Sequence, residues 1–238
     1  MELEFEYGSR IITFNLIYRK RKTMSIEVET TGEVTVIAPV GTSTEDIIEK
    51  VKSRVEWIVS KQYESKFISD TKIKREAVSG ESYMYLGRNY SLDIRVDENI
   101  DNKILVKLFQ GKFVVNTYTK DEDLIKKAME NWYREKTLAK VKERVSYYSN
   151  YFNDEVTAVK VKEQKKRWAS CTSKNELLFN WRCVMAPVFV LDYIVVHEMC
   201  HMEYKNHSKD FWNRVCDVMP DYEVRKLWLR NNGIKMDI

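Results

Sequence analysis

The stretch Ile194-Val195-Val196-His197-Glu198-Met199-Cys200-His201-Met202-Glu203-Tyr204-Lys205-Asn206-His207 decides how this chain is read. It holds an H-E-x-x-H pattern at the end of an apolar run. On an α-helix, residues four apart lie on one face, one turn above another. His197 and His201 can therefore aim both imidazoles at one ion. Glu198 sits beside them, placed to take a proton from a water on that ion rather than to hold the ion itself. A lone histidine on such a helix would read as a packed core residue. Here the chain's only 3 histidines all fall between positions 197 and 207, and the pattern arises by chance in under about 1% of chains of this size.

His207 is the natural third ligand, six residues beyond His201. That spacing matches H-E-x-x-H-x-x-G-x-x-H, in which glycine turns the chain out of the helix so that the third histidine swings back. Tyr204 occupies the glycine position, so the turn is expected at Lys205-Asn206, with Asn in left-handed geometry. The competing third ligands are carboxylates further on, Glu223, Asp217 or Asp210. If His207 is the ligand, those carboxylates become candidate partners for the outer ring nitrogens. Three protein ligands leave a position open for water, the catalytic rather than the structural arrangement of zinc. Imidazoles also suit Cu, Fe and Ni. Zinc is the expected cofactor, one ion per chain, because a general-base Glu points to hydrolysis, which needs no redox chemistry. Cys200 lies off the face of the two histidines and reads as a packed thiol.

Outward from this segment the C-terminal part reads as helical. Pro187 suits the first turn of the helix that carries Val190, Leu191, Ile194 and Val195. Ser208 can cap a second helix that ends at Pro220, and Asp221 a third that closes at Asn231-Asn232-Gly233. Upstream, strands are expected over Val156–Val161 and Leu177–Trp181. A long helix is expected over 121–148, started by Thr119-x-x-Glu122, with Leu124, Ala128, Trp132, Leu138, Val141 and Val145 as its buried stripe. Strands are expected at Tyr90–Val96 and at Ile104–Val115 around Gly111.

The first 40 residues alternate as half-buried strands: Leu3, Phe5 and Tyr7, then Ile12 to Tyr18, then Met24, Ile26 and Val28, and, after the turn Thr30-Thr31-Gly32, Val34 and Val36. One helix follows, with Thr42-x-x-Glu45 as capping box and Ile47, Ile48, Val51, Val55, Ile58 and Val59 at helical spacing. No internal repeat is visible. The chain divides near 70–80 or 117–120. The working division is a strand-rich region with one helix over 1–75 and a metal-dependent hydrolase domain over 76–238, possible also as one continuous domain.

The 238 residues are 44% hydrophobic and rich in aromatics, enough for a packed core and against disorder. The net charge of +4 is concentrated at Arg19-Lys20-Arg21-Lys22 and over Lys160–Arg167. Such runs are usually solvated faces, but they permit a nucleotide or DNA partner. No signal-peptide pattern and no apolar run of about 20 residues is present, so the expectation is a cytoplasmic protein with no membrane partner. The four cysteines, Cys171, Cys183, Cys200 and Cys216, form no C-x-x-C pair and read as free thiols.

These residues resemble the YgjP-like metallopeptidase family, a zincin group related to the SprT-like proteases. The matching pieces are Arg167-Trp168-Ala169-Ser170-Cys171, Leu178-Phe179-Asn180-Trp181, Leu191 to His201, Asn206-His207-Ser208 with Phe211-Trp212, and Pro220-Asp221-Tyr222. Further pieces are Arg21 to Ile26, Ala38-Pro39, Trp57-Ile58 and Tyr85-Leu86-Gly87. Ala169 stands where the family more often has Gly. The resemblance implies an α+β zincin-like core with a twisted sheet over the H-E-x-x-H helix. It also implies zinc on His197, His201 and His207, with Glu198 as base.

The expected activity is that of a zinc-dependent hydrolase, a metallopeptidase acting on a peptide or protein, with Glu198 activating a zinc-bound water. Arg167, Asn180, Tyr193 and Tyr222 are candidate transition-state or substrate contacts. The alternatives are a metal-dependent nucleotide pyrophosphatase, with Arg167, Lys165 and Lys166 on the phosphates, and a DNA-associated protease of the SprT-like kind. A structural zinc in a nucleic-acid binder is disfavoured, because such sites are usually four-coordinate and rich in cysteine.

Overall fold

The computed structural model describes residues 1–29, 31–71 (backbone alone over 64–71), 75–97, 102–164 and 167–238. It is a mixed α+β structure with six α-helices and three sheets among the described residues. The chain divides into two compact units, Met1–Ile73 and Lys74–Ile238.

The first unit opens with β1 (Glu2–Tyr7), β2 (Arg10–Arg19), β3 (Ser25–Val28) and β4 (Val34–Pro39). The sheet order is β1-β2-β4-β3, with β2 and β4 parallel and the outer pairs antiparallel. Period-two alternation puts Phe5, Ile12, Phe14, Leu16, Val34, Val36 and Ala38 in one core, with Thr30 of the expected turn outside the described residues. Two helices cover that core where one is expected from the sequence: α1 (Thr44–Lys52) and α2 (Val55–Thr71). The break falls at Ser53, whose hydroxyl donates to the Lys50 carbonyl at 2.8 Å. A serine that bonds to nearby backbone competes with the helix ladder. The apolar spacing runs through the break, since Val51, Val55 and Ile58 are all buried. The cap is also one residue later than expected. Ser43, not Thr42, accepts from the Asp46 N–H, because the Thr42 hydroxyl donates to the Pro39 carbonyl.

The second unit repeats that strand order. β5 (Ser82–Tyr85), β6 (Arg88–Val96), β7 (Leu105–Phe109) and β8 (Lys112–Thr117) lie in the order β5-β6-β8-β7, with β6 and β8 parallel. The 27-residue helix α3 (Glu122–Tyr148) follows. Asp121 caps it by accepting from the Leu124 N–H at 3.0 Å. Thr119 does not, because its hydroxyl already accepts from the Asp121 N–H. The buried stripe shifts accordingly to Ile125, Met129, Trp132, Tyr133, Thr137, Val141, Val145 and Tyr148, and Leu124 is exposed.

A second sheet of this unit is formed by β9 (Ala158–Lys162), β10 (Ala169–Cys171) and β11 (Glu176–Asn180). β11 lies at its centre, parallel to β9 and antiparallel to β10, which is an edge. A 3-10 turn over Trp181–Met185 leads into α4 (Val188–Glu203), then α5 (Lys209–Val218), α6 (Tyr222–Asn232) and a last 3-10 turn, Gly233–Lys235. Ser208 caps α5 as expected.

α4 packs against α3, α5, α6 and β10 and is buried nearly all round, as an apolar helix must be. Its entrance is fixed by the turn between β5 and β6. The N–H groups of Leu86 and Gly87 donate to the Val184 and Met185 carbonyls at 2.8 and 2.9 Å. Gly87 has φ +78°, and a Cβ there would meet Pro187 at 2.6–2.9 Å, so the position requires glycine. Asp192, buried within α4, is held from α3 by Arg144 at 2.6 Å and by the Tyr148 hydroxyl at 3.2 Å.

Candidate metal centre

His197, Glu198 and His201 lie on α4, with the two histidines one turn apart, and His207 follows in the loop before α5. The histidine side chains converge. His207 Nε2 lies 3.0 Å from His197 Nε2 and 3.2 Å from His201 Nε2. One ligand atom from each lies within 4.8 Å of the others. Among the described residues no carboxylate joins this cluster, and Glu223, Asp217 and Asp210 lie outside it.

The route that brings His207 back differs from the expected one. Neither Lys205 nor Asn206 has positive φ. The chain leaves the helix by becoming extended at Tyr204 (φ −123°, ψ 106°), which any L-residue adopts, so no glycine is needed. This points the Tyr204 carbonyl at His201 Nδ1, 2.9 Å away. That contact holds the proton on Nδ1 and leaves Nε2 as a lone pair. A backbone carbonyl thus serves where an acidic side chain was the sequence expectation. Asn206 Oδ1 then accepts from the Ser208 N–H at 3.2 Å and sets the turn into α5.

Aromatic rings fix the imidazoles. Phe211, fully buried, lies with its ring centroid 4.9, 4.5 and 4.8 Å from those of His197, His201 and His207. Trp212 stacks on His207 at 5.6 Å, and Tyr222 stacks on Trp212 at 5.4 Å.

The electrostatics favour the neutral form of His197 and His207. Burial, then the neighbouring His201 and His207, push His197 down to about 3, and burial lowers His207 too. Imidazole nitrogens that turn their lone pairs toward one another repel unless a cation sits between them. In a tetrahedral zinc site, bonds of about 2.0–2.1 Å put ligand nitrogens about 3.3 Å apart, close to the two distances seen here. His197 Nδ1 and Glu198 Oε2 are buried without a hydrogen-bond partner among the described residues. The donor set therefore fits a zinc ion. Burial pushes the Glu198 carboxyl up to about 8, against the opposing pull of Arg167 and of the Cys171 backbone N–H.

A cleft of about 460 Å³ opens over the centre, lined by the three histidines and Glu198 together with Arg167 to Cys171, Tyr193, Ile194, Lys205 and Leu229. Arg167 and Tyr193 are thus brought to the histidines, Tyr193 with its ring centroid 5.8 Å from that of His197. Tyr222 stands behind Trp212 and is not part of the lining. Asn180 is buried elsewhere. Its amide donates to the Gln164 carbonyl at 2.7 Å and accepts from the Arg182 N–H at 3.0 Å, so it builds the turn before α4. Lys165 and Lys166 lie outside the described residues. Cys200 is a buried free thiol, as expected.

Four contributors were not singled out from the sequence: the Cys171 N–H, the Tyr204 carbonyl, Lys205 and the Phe211 buttress. The first two are backbone groups and carry no residue signature. Lys205 and Phe211 lie beside the histidines in sequence, and nothing in their identity marks their roles.

Comparison with curated proteins gives no match. Among solved structures, the crystal structure of the metallopeptidase zymogen abylysin of Pyrococcus abyssi matches with a TM-score of 0.35 and 18% identity, over 39% of this chain and 92% of that one. The family model described as the YgjP-like metallopeptidase domain matches residues 22–232, which include every residue of the centre just described, and the chain belongs to the YgjP-like metallopeptidase family.

Proposed function

We propose that this protein is a zinc-dependent metallopeptidase with a zincin-like catalytic core, one zinc ion per chain, and Glu198 as general base. The observation that carries the proposal is the convergence of three imidazole Nε2 atoms beside a buried carboxyl. His197, His201 and His207 would hold the ion. Bound there, zinc supplies Lewis acidity, bringing water toward a pKa of about 7 and polarising a carbonyl.

The chain's own residues do the rest. Glu198 takes the proton of the attacking water and returns it to the leaving amine. Its buried, orphaned Oε2 suits a group whose partner arrives with the reaction. The Cys171 N–H steadies the carboxyl from β10. Tyr193 and Arg167 line the cleft, Tyr193 as a donor for the developing oxyanion and Arg167 as a substrate contact, with Tyr222 a step behind them. A peptide substrate is supported by β10 itself. Among the described residues its one strand neighbour is β11, and its residues line the cleft, so an extended chain can add along its other edge. A cytoplasmic setting suits four free thiols.

Two measurements on the purified chain test this: bound zinc per chain, and cleavage of casein and of nucleoside triphosphates with and without chelator. We expect one zinc, chelator-sensitive cleavage of casein and intact nucleotides. Glu198→Gln should keep the zinc and lose turnover. Casein cleavage retained in that variant sinks the mechanism, and hydrolysis of nucleotides alone sinks the peptidase reading.

A further inference from the structure

The charges around the cleft are sorted. Of the side chains that line it, Glu198 is the one carboxyl, and two are full cations, Arg167 and Lys205. A third, Lys226 of α6, holds its ammonium over the Trp212 ring at 4.0 Å, and its charge acts on His197 and His207.

Three carboxylates on the surrounding elements are paired with cations outside the cleft, and Asp210, Asp217 and Glu223 are not part of its lining. Glu203 pairs with Arg214 at 2.9 Å, Asp221 with Arg225 at 3.0 Å and Glu176 with Lys160 at 2.6 Å. The cleft cations lack such partners among the described residues. Arg167 makes no hydrogen bond or ion pair with them, and its charge acts on Glu198. Lys205 rests on a neutral amide oxygen, Asn175 Oδ1, at 3.4 Å.

Their placement follows the edge strand. Arg167 stands just before β10, and Lys205 reaches the turn just after it. At about 3.3 Å per residue, an extended chain of roughly five residues spans that stretch. A peptide laid along β10 would thus meet a cation toward each end, with the histidines and Glu198 between.

We propose that the cleft selects polypeptide segments carrying acidic side chains on both sides of the bond to be cut, with Arg167 facing one and Lys205 the other. The proposal rests on the peptidase reading for the cutting, though not for the binding. Unpaired cations in a walled cleft raise the local concentration of anionic ligands and weaken as salt rises.

The test uses three quenched fluorescent peptides that differ only at the residues flanking one bond: Glu, Ala or Lys. With the zinc-loaded protein at low salt, kcat/KM for the Glu peptide should exceed that for the Lys peptide by about tenfold or more, and the ratio should shrink as salt is added. Arg167→Glu with Lys205→Glu should invert the ratio, read within each protein so that a general loss of activity does not matter. Binding of the same peptides to the Glu198→Gln protein, read by fluorescence anisotropy, should follow the same order and the same inversion. Equal rates and equal binding for the three peptides would overturn the proposal while leaving the peptidase reading intact. Charge-ordered binding without cleavage in the unsubstituted protein would uphold the cleft and remove the peptidase. A thymidine oligonucleotide that binds through Arg167 and Lys205 while the Glu peptide does not would assign the cations to phosphates and overturn it.

Discussion

Arg144 of α3 donates to Asp192 of α4 at 2.6 Å, which fastens the helix of the candidate ligands to the longest helix in the structure. Both side chains are largely buried, at 17% and 10% exposure. Arg144→Met would leave the Asp192 carboxylate buried with only the Tyr148 hydroxyl, at a cost of about 3–5 kcal/mol. Urea denaturation should show that loss. Arg144→Met with Asp192→Leu should recover much of it, since replacing both charges removes the uncompensated one. A double variant no more stable than Arg144→Met would contradict this.

Gly87 and Gly111 both have positive φ, but only Gly87 has a neighbour in the way. Gly111→Ala should cost about 1 kcal/mol, the backbone strain alone. Gly87→Ala must also push Pro187 off the entrance of α4, and should cost roughly 2 kcal/mol more. Thermal melts of the two variants compare them directly. Equal losses would mean that the hairpin turn yields without disturbing the helix.

The chelated protein should have a stability plateau in pH. Glu198 rises from an ordinary 4.5 to about 8, so the folded state holds its proton more tightly and stability falls as pH climbs through that window. His197 drops from 6.5 to about 3, so its contribution is present above 6.5 and lost as pH falls toward 3. Between about 4.5 and 6.5 the two slopes oppose each other and cancel. Melting temperatures in chelator should therefore decline on both sides of that interval. Glu198→Gln should flatten the alkaline limb, and His197→Gln should make the acid one shallower, with the lowered His207 keeping its share. An unchanged alkaline limb in Glu198→Gln would assign it to another group.

Asn180 and His207 should separate cleanly. Asn180→Ala leaves the Arg182 N–H without its acceptor and should cost about 1–3 kcal/mol of stability, with zinc affinity unchanged. His207→Ala should lower zinc affinity by at least about a hundredfold, more than the loss of a ligand's supporting hydrogen bond typically costs. Competition against a fluorescent zinc indicator measures both. A large drop in Asn180→Ala would bring that residue back to the centre.

The histidines and Glu198 were legible in the sequence because the helix period fixes which side chains share a face, and α4 keeps that period. His207 was legible by spacing, but its path was not. An extended Tyr204 does the work that a left-handed residue was expected to do, and nothing in a side chain's identity marks an extended residue. β5 and β10, at four and three residues, are too short to show period-two alternation in the sequence. The caps of α1 and α3 were misplaced by one and two residues, where two adjacent or near-adjacent polar side chains could serve and a local hydrogen bond chose between them. The shared strand order of the two four-stranded sheets left no trace in the residues. It lies in which backbone pairs with which, and many alternating sequences satisfy that.

Val195, Val196, Met199 and Cys200 are fully buried neighbours of the histidines on α4. The metal would consequently act as a gauge of the interior. A cavity made far away, under Val141 or Leu177, can tilt α4 and register as a change in ion affinity or in the visible spectrum of a cobalt-substituted sample. The same rigidity lets the imidazoles wait in position, so little ordering remains for the moment of capture.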